Sequence, residues 1–385
     1  METSGLVEKY NDYRNSTLNL QASENVLSPD ARMALSSDMA SRYSLNLDGH
    51  NAYGGTGYYD NILELLEKNT KKLFGSKFSE SRPLSGHIAA ETSLLSVLEH
   101  NRNVMAVSEE DGGYPGYSGG HLDRVLGYTF HPAPYKNFDL DYDILEQRIK
   151  ETGTGILVLG QSMFIKPYDM KIIEEIKEKT GIIVIYDASH VLGLLAGKAF
   201  QKDALKFSDI VYGSTHKTFF GPQGGIIITD DEEIYRKIEE NTIFTTMDNV
   251  NLSRVASLSV AVEEMIKFGE EYAKNVVENT QKLSFELAKS GFRLMPGSEE
   301  SKTHQLLLDD KFLHSKGFDY YTFSRKLEEN MVIIDRFGRL GTQEITRWGI
   351  NDMGKVSDVL CGISNKLNKT EEIKNLISEK RLKFW

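Results

Sequence analysis

The sequence predicts an α/β fold, with a mostly parallel sheet between helices and a smaller α+β domain after it. Segments 156–159 and 182–186 are continuous apolar runs of strand length, and the amphipathic segment 170–179 lies between them. Strands that are apolar on both faces and alternate with helices are typical of a parallel sheet covered on both sides. The alternation stops near Thr246, where a long helical stretch begins.

Length and composition bound the class of protein. At 385 residues the chain is long enough for two domains. A formal net charge of −11 argues against binding to nucleic acid or to an anionic membrane. The single cysteine, Cys361, cannot form an internal disulfide, which is typical of a reducing compartment. With no signal-like or membrane-spanning segment, we expect a cytoplasmic protein.

We expect an N-terminal arm (1–30), a large domain (31–250), and a linking helix with a small C-terminal domain (251–385). The periodicity predicts helices at 60–74, 87–99, 252–267, 271–289 and 369–383, and further strands at 209–213, 226–229, 305–308 and 331–334.

Three polar side chains follow predicted strands of the sheet. They are Ser162, Asp187 and Lys217. Because ligands of such sheets bind beyond the carboxyl ends of the strands, we expect these side chains to share one edge. A lysine at the end of an apolar strand is costly unless it has a chemical task, such as a Schiff base to an aldehyde cofactor.

Pyridoxal 5'-phosphate (PLP) requires this set of groups. Lys217 would bind the aldehyde, and Asp187 would keep the pyridine nitrogen protonated, which makes the ring an electron sink. Taken alone, Asp187 also fits a helix cap before His190, and Lys217 fits a surface lysine.

The sequence also offers groups for the phosphate and for the ring. Ser85 and Gly86 precede a predicted helix, whose first N–H groups favour an anion, and Thr215 and His216 are further candidates. Tyr114 follows two glycines and would cover the ring. A helix cap at Ser85 and ordinary packing of Tyr114 are the alternatives.

An amino-acid substrate needs a partner for its carboxylate. Arg336, Arg339 and Arg347 are all candidates for a two-pronged contact, and the residues alone do not decide among them. His50 and His131, like the histidines at 304 and 314, show no metal-ligand spacing, so we predict no metal site.

Several short motifs occur together and in order: Ala-Ser-Glu-Asn at 22–25, Tyr-Gly-Gly at 53–55, Ser-Gly at 85–86, Tyr-Asp-Ala-Ser-His at 186–190, Ser-Thr-His-Lys-Thr at 214–218, Arg-Leu-Gly-Thr at 339–342 and Ile-Thr-Arg at 345–347. With them the chain resembles the fold-type I PLP enzymes, and it is most similar to the serine (glycine) hydroxymethyltransferase family. The resemblance covers residues 21 to about 349 and implies a large domain with a seven-stranded type of sheet.

The resemblance implies roles for four catalytic residues. Lys217 matches the lysine that binds the cofactor, and Asp187 matches the acid at the pyridine nitrogen. His190 resembles the histidine near the cofactor's phenolic oxygen and the substrate hydroxyl. His216 resembles the histidine beside the lysine.

The cofactor site follows in the same way. Ser85 and Gly86 match the phosphate loop, with His87 where the family usually has serine. Ser162 matches a serine near the ring oxygen. Tyr114 stands where the family has a stacking histidine.

The resemblance also assigns the substrate site and a partner. Arg339 matches the arginine that binds the substrate carboxylate, and Ser23 matches a serine beside it. Tyr43 and Tyr53 match tyrosines that the neighbouring subunit donates. A homodimer with shared active sites is therefore implied.

One departure bears on the reaction. Two residues after the tyrosine matched by Tyr43, the family has a glutamate that transfers a proton in folate-dependent chemistry, and this chain has Leu45. Asp48 is a candidate substitute. The glycine loop that meets the partner's phosphate falls at 248–251 and matches poorly. Use of tetrahydrofolate is therefore left open.

The leading hypothesis is a PLP-dependent transferase or aldolase that cleaves or forms the Cα–Cβ bond of a β-hydroxy amino acid, by hydroxymethyl transfer, as an aldolase or as a transaldolase. The second hypothesis, which Leu45 motivates, is an aminotransferase, racemase or β-eliminating lyase. The third is a non-catalytic dimeric PLP-binding protein, which the retention of Lys217, Asp187 and Arg339 opposes.

Overall fold

The computed structural model describes residues 2–47 and 50–385. It contains two compact units: one is Asn25–Ala273, and the other combines the residues up to Glu24 with Lys274–Trp385. The sequence-based division into an arm, a large domain and a C-terminal part has different boundaries from these units, and it stays a prediction.

The strands are β1 (Leu18–Asn19), β2 (Asn46–Leu47), β3 (His50–Asn51), β4 (Phe78–Glu80), β5 (Asn103–Ala106), β6 (Thr129–Pro132), β7 (Tyr135–Lys136), β8 (Asp139–Leu140), β9 (Ile156–Leu159), β10 (Ile183–Asp187), β11 (Ile210–Ser214), β12 (Gly225–Thr229), β13 (Gln305–Leu307), β14 (Val332–Ile333) and β15 (Arg339–Gly341). The helices are α1 (Glu2–Asn15), α2 (Pro29–Leu35), α3 (Gly57–Phe74), α4 (Gly86–Leu95), α5 (Leu122–Leu126), α6 (Tyr142–Thr152), α7 (Met170–Thr180), α8 (Leu192–Ala196), α9 (Ala204–Phe207), α10 (Glu232–Thr242), α11 (Leu252–Lys289), α12 (Asp310–Ser315), α13 (Tyr320–Glu329), α14 (Gln343–Arg347), α15 (Met353–Ser364) and α16 (Thr370–Ser378).

The unit of residues 25–273 is built on a seven-stranded sheet with the strand order β4-β12-β11-β10-β9-β5-β6. Strand β12 runs antiparallel to both of its neighbours, while β11, β10, β9, β5 and β6 are parallel. Every residue of β9 and β11 is buried, as their continuous apolar sequences predict. The predicted α/β class with a mostly parallel sheet is confirmed.

Parallel strands bring their carboxyl ends to one edge of this sheet. Asp187 is the last residue of β10 and pairs in register with Tyr212 of β11. The helices that cross back between strands have clear ends: α7 begins after Asp169, whose side chain accepts from the Lys171 and Ile172 N–H groups, and ends at Gly181 with a φ of 69°.

The second unit has two small sheets, of which one joins a strand near the N-terminus to a strand of the C-terminal part. Strand β1 pairs with β14 in parallel, and β13 pairs with β15 antiparallel. The C-terminal helix ends at Ser378, earlier than the predicted residue 383. The Arg381 and Lys383 N–H groups donate to the Trp348 and Arg347 carbonyls instead, which ties the tail down as an extended segment.

One predicted break is absent. Helix α11 runs continuously from Leu252 to Lys289, whereas the sequence predicted two helices separated near Gly269. A side chain at Gly197 would lie 2.3 Å from the Gly269 carbonyl oxygen, so the backbones approach closely here. This contact requires glycine at 197, whereas a side chain at Gly269 would first meet the flexible Met265 side chain; Gly269 lies inside the helix without ending it.

Candidate active site

Lys217 lies in a tightly closed loop that follows β11. The Thr215 N–H donates to the Gly224 carbonyl (3.1 Å), and the Thr215 hydroxyl donates to the Pro222 carbonyl (2.6 Å). The Gly221 N–H donates in turn to the Thr215 carbonyl (2.6 Å). Thr215 is fully buried, so its role in the structure is to close the loop that presents Lys217.

Two further side chains fix the backbone around Lys217. The Asn25 amide donates to the Lys217 carbonyl (2.7 Å) and to the Tyr272 hydroxyl (2.9 Å). The Thr218 hydroxyl donates to the His190 carbonyl (2.9 Å). These bonds use no atom of the lysine side chain, so they hold the loop whatever side chain stands at 217.

Asp187 is buried, with 6% of its surface exposed. One carboxylate oxygen accepts from the Ser189 N–H (2.9 Å), and the other accepts from the Tyr117 hydroxyl (2.7 Å). Tyr117 also shares a short hydrogen bond with Tyr212. Burial and the nearby Asp187 charge raise the pKa of Tyr117 well above its ordinary value, so this hydroxyl stays a donor. Asp187 therefore caps a turn and is also oriented by a buried tyrosine.

His190 and His216 lie in the two segments that follow β10 and β11. His190 is buried in the turn after β10, close to the chain that carries Lys217. Burial and the neighbouring Lys217 charge lower the pKa of His216 to about 4, so His216 is a neutral imidazole at neutral pH. A neutral imidazole is able to accept a proton.

Ser85 and Gly86 form a cradle at the start of α4. The Ser85 hydroxyl accepts from the Ile88 N–H (3.1 Å) and caps the helix. A side chain at Gly86 would lie 2.1 Å from the Ser214 hydroxyl oxygen, so only glycine lets the helix meet the end of β11. The first N–H groups of α4 thus lie at the sheet edge where β11 ends, an arrangement that suits a phosphate.

Tyr114 and Ser162 come from two loops that are joined by backbone hydrogen bonds. The Ser162 and Met163 N–H groups both donate to the Gly112 carbonyl (2.8 and 3.0 Å). Tyr114 shares a hydrogen bond with His87 Nδ1 (2.9 Å), and its ring meets the Tyr117 ring edge-on at 5.4 Å. The structure therefore links the predicted ring cover to the α4 cradle and, through Tyr117, to Asp187.

These groups fit PLP. The Gly86 cradle supplies backbone donors and close approach for a phosphate, and Asp187 is a buried, oriented carboxylate for a pyridine nitrogen. Lys217, on the neighbouring loop, supplies the amine for the aldehyde. Among residues 2–47 and 50–385, no group of acidic, histidine or cysteine side chains is arranged to hold a metal ion.

Ser23 and Arg339 belong to the other unit, where the structure ties their segments together. The Gly341 N–H donates to the Leu20 carbonyl (2.7 Å), and the Gln343 amide donates to the Gln21 and Glu24 carbonyls (both 2.7 Å). The segment that carries Ser23 is therefore held against the strand and turn that carry Arg339.

The three candidate arginines have different surroundings. The Arg339 guanidinium is paired with Asp335 (2.5 Å) and is mostly buried. Arg347 is fully buried and donates to the Lys383 carbonyl (2.5 Å), while Arg336 is half exposed and lies 3.5 Å from Glu328. Asp335 fixes the orientation of the Arg339 guanidinium, and the role of Arg339 at the substrate carboxylate stays a prediction from the resemblance.

Tyr43 and Tyr53 lie together, with ring centroids 4.6 Å apart and exposed fractions of 38% and 47%. The Tyr43 hydroxyl donates to Asp248 (2.8 Å). Between the two tyrosines, Leu45 is 8% exposed, and its carbonyl accepts from the Ala52 N–H (2.9 Å). Asp48, the candidate substitute for the family's glutamate, lies outside the described residues.

Three residues at this site were not predicted from the sequence. Tyr117 orients Asp187, Asn25 holds the lysine loop, and the buried Arg254 donates to the Ser81 carbonyl (2.6 Å) beside Gly224. The repeated tyrosine at 114 and 117 and the Asn of the 22–25 motif were available signals. Arg254 follows no pattern that marks it.

Comparison with known proteins gives the family. The family model described as serine hydroxymethyltransferase matches residues 1–336. The chain belongs to the serine hydroxymethyltransferase family. The family enzyme of Methanothermobacter marburgensis is 33% identical over 97% of this chain and 91% of its own length, and that of Korarchaeum cryptofilum is 31% identical over 98% and 93%.

A solved structure supports the fold of this family member. The L-threonine transaldolase from Pseudomonas fluorescens, described in its internal aldimine state, is similar with a TM-score of 0.85, over 99% of this chain and 92% of that one. Its identity is 22%, so the likeness concerns the fold.

Family membership confirms the coarse predictions. PLP is the cofactor, and the chain is a PLP-dependent transferase or aldolase that resembles serine hydroxymethyltransferase. Its reaction class is cleavage or transfer at the Cα–Cβ bond of a hydroxy amino acid. No described helix is long and apolar enough to cross a membrane.

Proposed function

We propose that this chain acts on a β-hydroxy amino acid without tetrahydrofolate, as an aldolase or a transaldolase. One observation carries the folate-independent part: Leu45 stands where the family has a proton-transfer glutamate. Its side chain is buried and has no proton to give or take. The groups that serve the cofactor and the amino acid, in contrast, are present.

The proposed roles of this chain's residues combine the family resemblance with the contacts described above. When bound, PLP withdraws the electron pair of a bond to Cα. Lys217 would hold the cofactor by its aldehyde, and Asp187, held by Tyr117, would keep the ring nitrogen protonated. Tyr114 would cover one face of the ring and exclude water.

The substrate groups complete the proposal. Arg339, with Ser23 on a segment tied to its strand, would hold the α-carboxylate and thereby orient the substrate for cleavage of the Cα–Cβ bond. The hydroxyl proton must leave as this bond breaks. His190 and His216 are the two candidates to accept it. The lowered pKa of His216, about 4, makes its imidazole a weak base, which favours His190.

Aldehyde release tests the proposed function. We expect aldehyde from allo-threonine or serine at a rate that tetrahydrofolate leaves nearly unchanged. Because a proton-transfer group is worth about 10²–10⁴-fold, a folate stimulation of that size would contradict the proposal. A keto acid in place of an aldehyde would instead indicate transamination.

A matched pair of variants tests the role of position 45. Leu45→Glu restores an ionisable group, and Leu45→Gln has nearly the same shape without it. We expect only Leu45→Glu to gain a response to folate with serine as substrate. An equal response of both variants would show that the ionisable group is not what limits folate use.

We propose further that two copies form a homodimer with shared active sites. Helix α1 buries none of its side chains, and its Leu6, Val7 and Tyr10 are each more than half exposed. Tyr43 and Tyr53 are also partly exposed. An apolar stripe and paired tyrosines on the surface of one copy suit contact with a second copy.

Mixing two inactive variants tests the shared site. Lys217→Ala and Tyr53→Ala are each expected to lose activity alone. If Tyr53 serves the partner's site, a mixed dimer has one site that carries neither change, so an equal mixture regains about a quarter of the wild-type activity. No recovery from a mixture shown to contain mixed dimers would exclude sharing through Tyr53.

A cytoplasmic location is also a proposal. The single cysteine, Cys361, is buried and forms no disulfide, which suits a reducing compartment. Cell fractionation checks it, and enrichment in an oxidising compartment would contradict it.

A further inference from the structure

We propose that His87 is a positioning residue that acts through Tyr114: its imidazole anchors the Tyr114 hydroxyl and thereby fixes the ring that covers the cofactor. This inference rests on the proposed site, in which Tyr114 lies over the PLP ring. Neither residue is the one that the family usually has at its position, and the two are bonded to each other.

The contact itself is well formed. His87 Nδ1 and the Tyr114 hydroxyl oxygen are 2.9 Å apart, and the two rings meet edge-on with centroids 6.1 Å apart. It is the one hydrogen bond of the Tyr114 side chain within the part of the chain that the structure describes. Burial raises the pKa of Tyr114, so the hydroxyl remains protonated at neutral pH and keeps this bond.

The backbone around Tyr114 leaves the ring few positions. A side chain at Gly116 would lie 2.3 Å from the Tyr114 ring, and one at Gly113 would lie 2.0 Å from the Val107 carbonyl oxygen. Glycines on both sides therefore let the loop fold closely around the ring. The Tyr117 ring packs against it at 5.4 Å, so His87 supplies the polar anchor and Tyr117 the apolar one.

The position of His87 in the first turn of α4 connects the Tyr114 hydroxyl to the proposed phosphate cradle. His87 follows Gly86, whose backbone lies against the end of β11 in the phosphate cradle. A hydrogen bond from this turn to Tyr114 couples the ring cover to the group that would hold the phosphate. Through Tyr117 the same ring is coupled to Asp187, which would hold the pyridine nitrogen of the cofactor.

A second role for His87 is a direct contact with the phosphate through its own ring. The two roles differ in a double-mutant cycle. If His87 acts through Tyr114, then His87→Ala has no further effect once Tyr114→Phe has removed the hydroxyl. If His87 contacts the phosphate itself, its loss costs the same in both backgrounds.

The experiment measures retention of PLP by the holoenzyme after dilution, followed by the visible absorbance and circular dichroism of the bound cofactor. We expect His87→Ala and Tyr114→Phe each to speed loss of PLP about threefold to tenfold, the range for one hydrogen bond, and the double variant to match Tyr114→Phe. The circular dichroism of the cofactor should fall equally in all three, because the ring above it is no longer fixed.

Controls separate this role from a general loss of stability. His121 lines the same cavity of about 570 Å3 as His87 and Tyr114, and His121→Ala is the matched change without the contact. It should retain PLP like the wild type. His87→Asn, whose amide can still bond the hydroxyl, should recover part of the retention.

Additive losses in the double variant, or unchanged PLP retention and circular dichroism in His87→Ala, would overturn the inference. Since no substrate is used, failure here is distinct from failure of the proposed folate-independent reaction, which aldehyde release reports.

Discussion

Replacing Lys217 with alanine is expected to lower aldehyde formation by about a thousandfold or more, a loss of ~4 kcal/mol of transition-state stabilisation. The reason is chemical: the amine of Lys217 is the group that would attach PLP by its aldehyde, and alanine offers no nucleophile. Purified Lys217→Ala should also lose the visible absorbance of the attached cofactor and release PLP on gel filtration.

Lys217→Arg is the matched control. Arginine keeps the positive charge and the length of the side chain, but its guanidinium stays protonated and does not attach to an aldehyde. We expect Lys217→Arg to be as inactive as Lys217→Ala. If arginine restored most of the activity, the task of Lys217 would be electrostatic and the proposed attachment would be wrong.

The structure indicates that neither variant should unfold. The loop is held by the closure at Thr215 and by the Asn25 amide on the Lys217 carbonyl, and none of these bonds uses the lysine side chain. Unfolding temperatures close to that of the wild-type apoprotein are therefore expected. Bound PLP adds its own stabilisation to the wild type by mass action, so the comparison requires apoprotein.

Much of the α/β unit could be predicted from the sequence because its signals are local. The apolar runs of β9, β10 and β11 are buried on both faces, and short continuous apolar runs of this kind are typical of strands in a parallel sheet. The lysine loop was equally visible, since a glycine-rich turn after a buried strand is marked by the residues themselves.

Non-local contacts explain what the sequence did not show. Tyr117 was not predicted as a site residue because its role depends on a hydrogen bond to Asp187, which is 70 residues away along the chain. The pairing of β1 with β14 joins segments more than 300 residues apart, so the arm gave no sign that it belongs with the C-terminal unit. The break predicted between residues 267 and 271 is absent, because the helix continues through Gly269.

The site was predictable to the extent that it resembled a family. Arg339 could not be separated from Arg336 and Arg347 by residue type, and the resemblance supplied the choice. In the structure Asp335 orients Arg339, and the role of Arg339 at the substrate stays a prediction. Neither the residue types nor the resemblance predicted the hydrogen bond between His87 and Tyr114, because each residue departs from the family pattern and they meet only in the folded chain.

Asp187→Asn is expected to lower activity by about a hundredfold or more, while the protein remains folded. A carboxylate within about 4–6 Å raises the pKa of a cationic group by 1–3 units, so its loss would leave the PLP ring nitrogen largely unprotonated and a weaker electron sink. Asparagine has the same shape and can still accept from the Ser189 N–H.

This substitution also decides between the two explanations of Asp187. If its task were only to cap the turn at Ser189, asparagine would replace it with little loss, because Asn and Asp cap helices about equally well. Near wild-type activity of Asp187→Asn would therefore contradict the cofactor role. The cap alone does not predict a change in the visible spectrum of bound PLP, whereas loss of the ring-nitrogen charge does.

Tyr117→Phe is the control that separates the orientation of the Asp187 carboxylate from its charge. It removes the hydroxyl that donates to Asp187 and leaves the carboxylate in place. A hydrogen bond to a charged group is worth about 1.5–3 kcal/mol, so we expect a loss of roughly ten- to a hundredfold, smaller than that of Asp187→Asn. If the two variants lost activity equally and Asp187→Asn kept the wild-type spectrum, orientation of the side chain at 187, and not its charge, would be what the site requires.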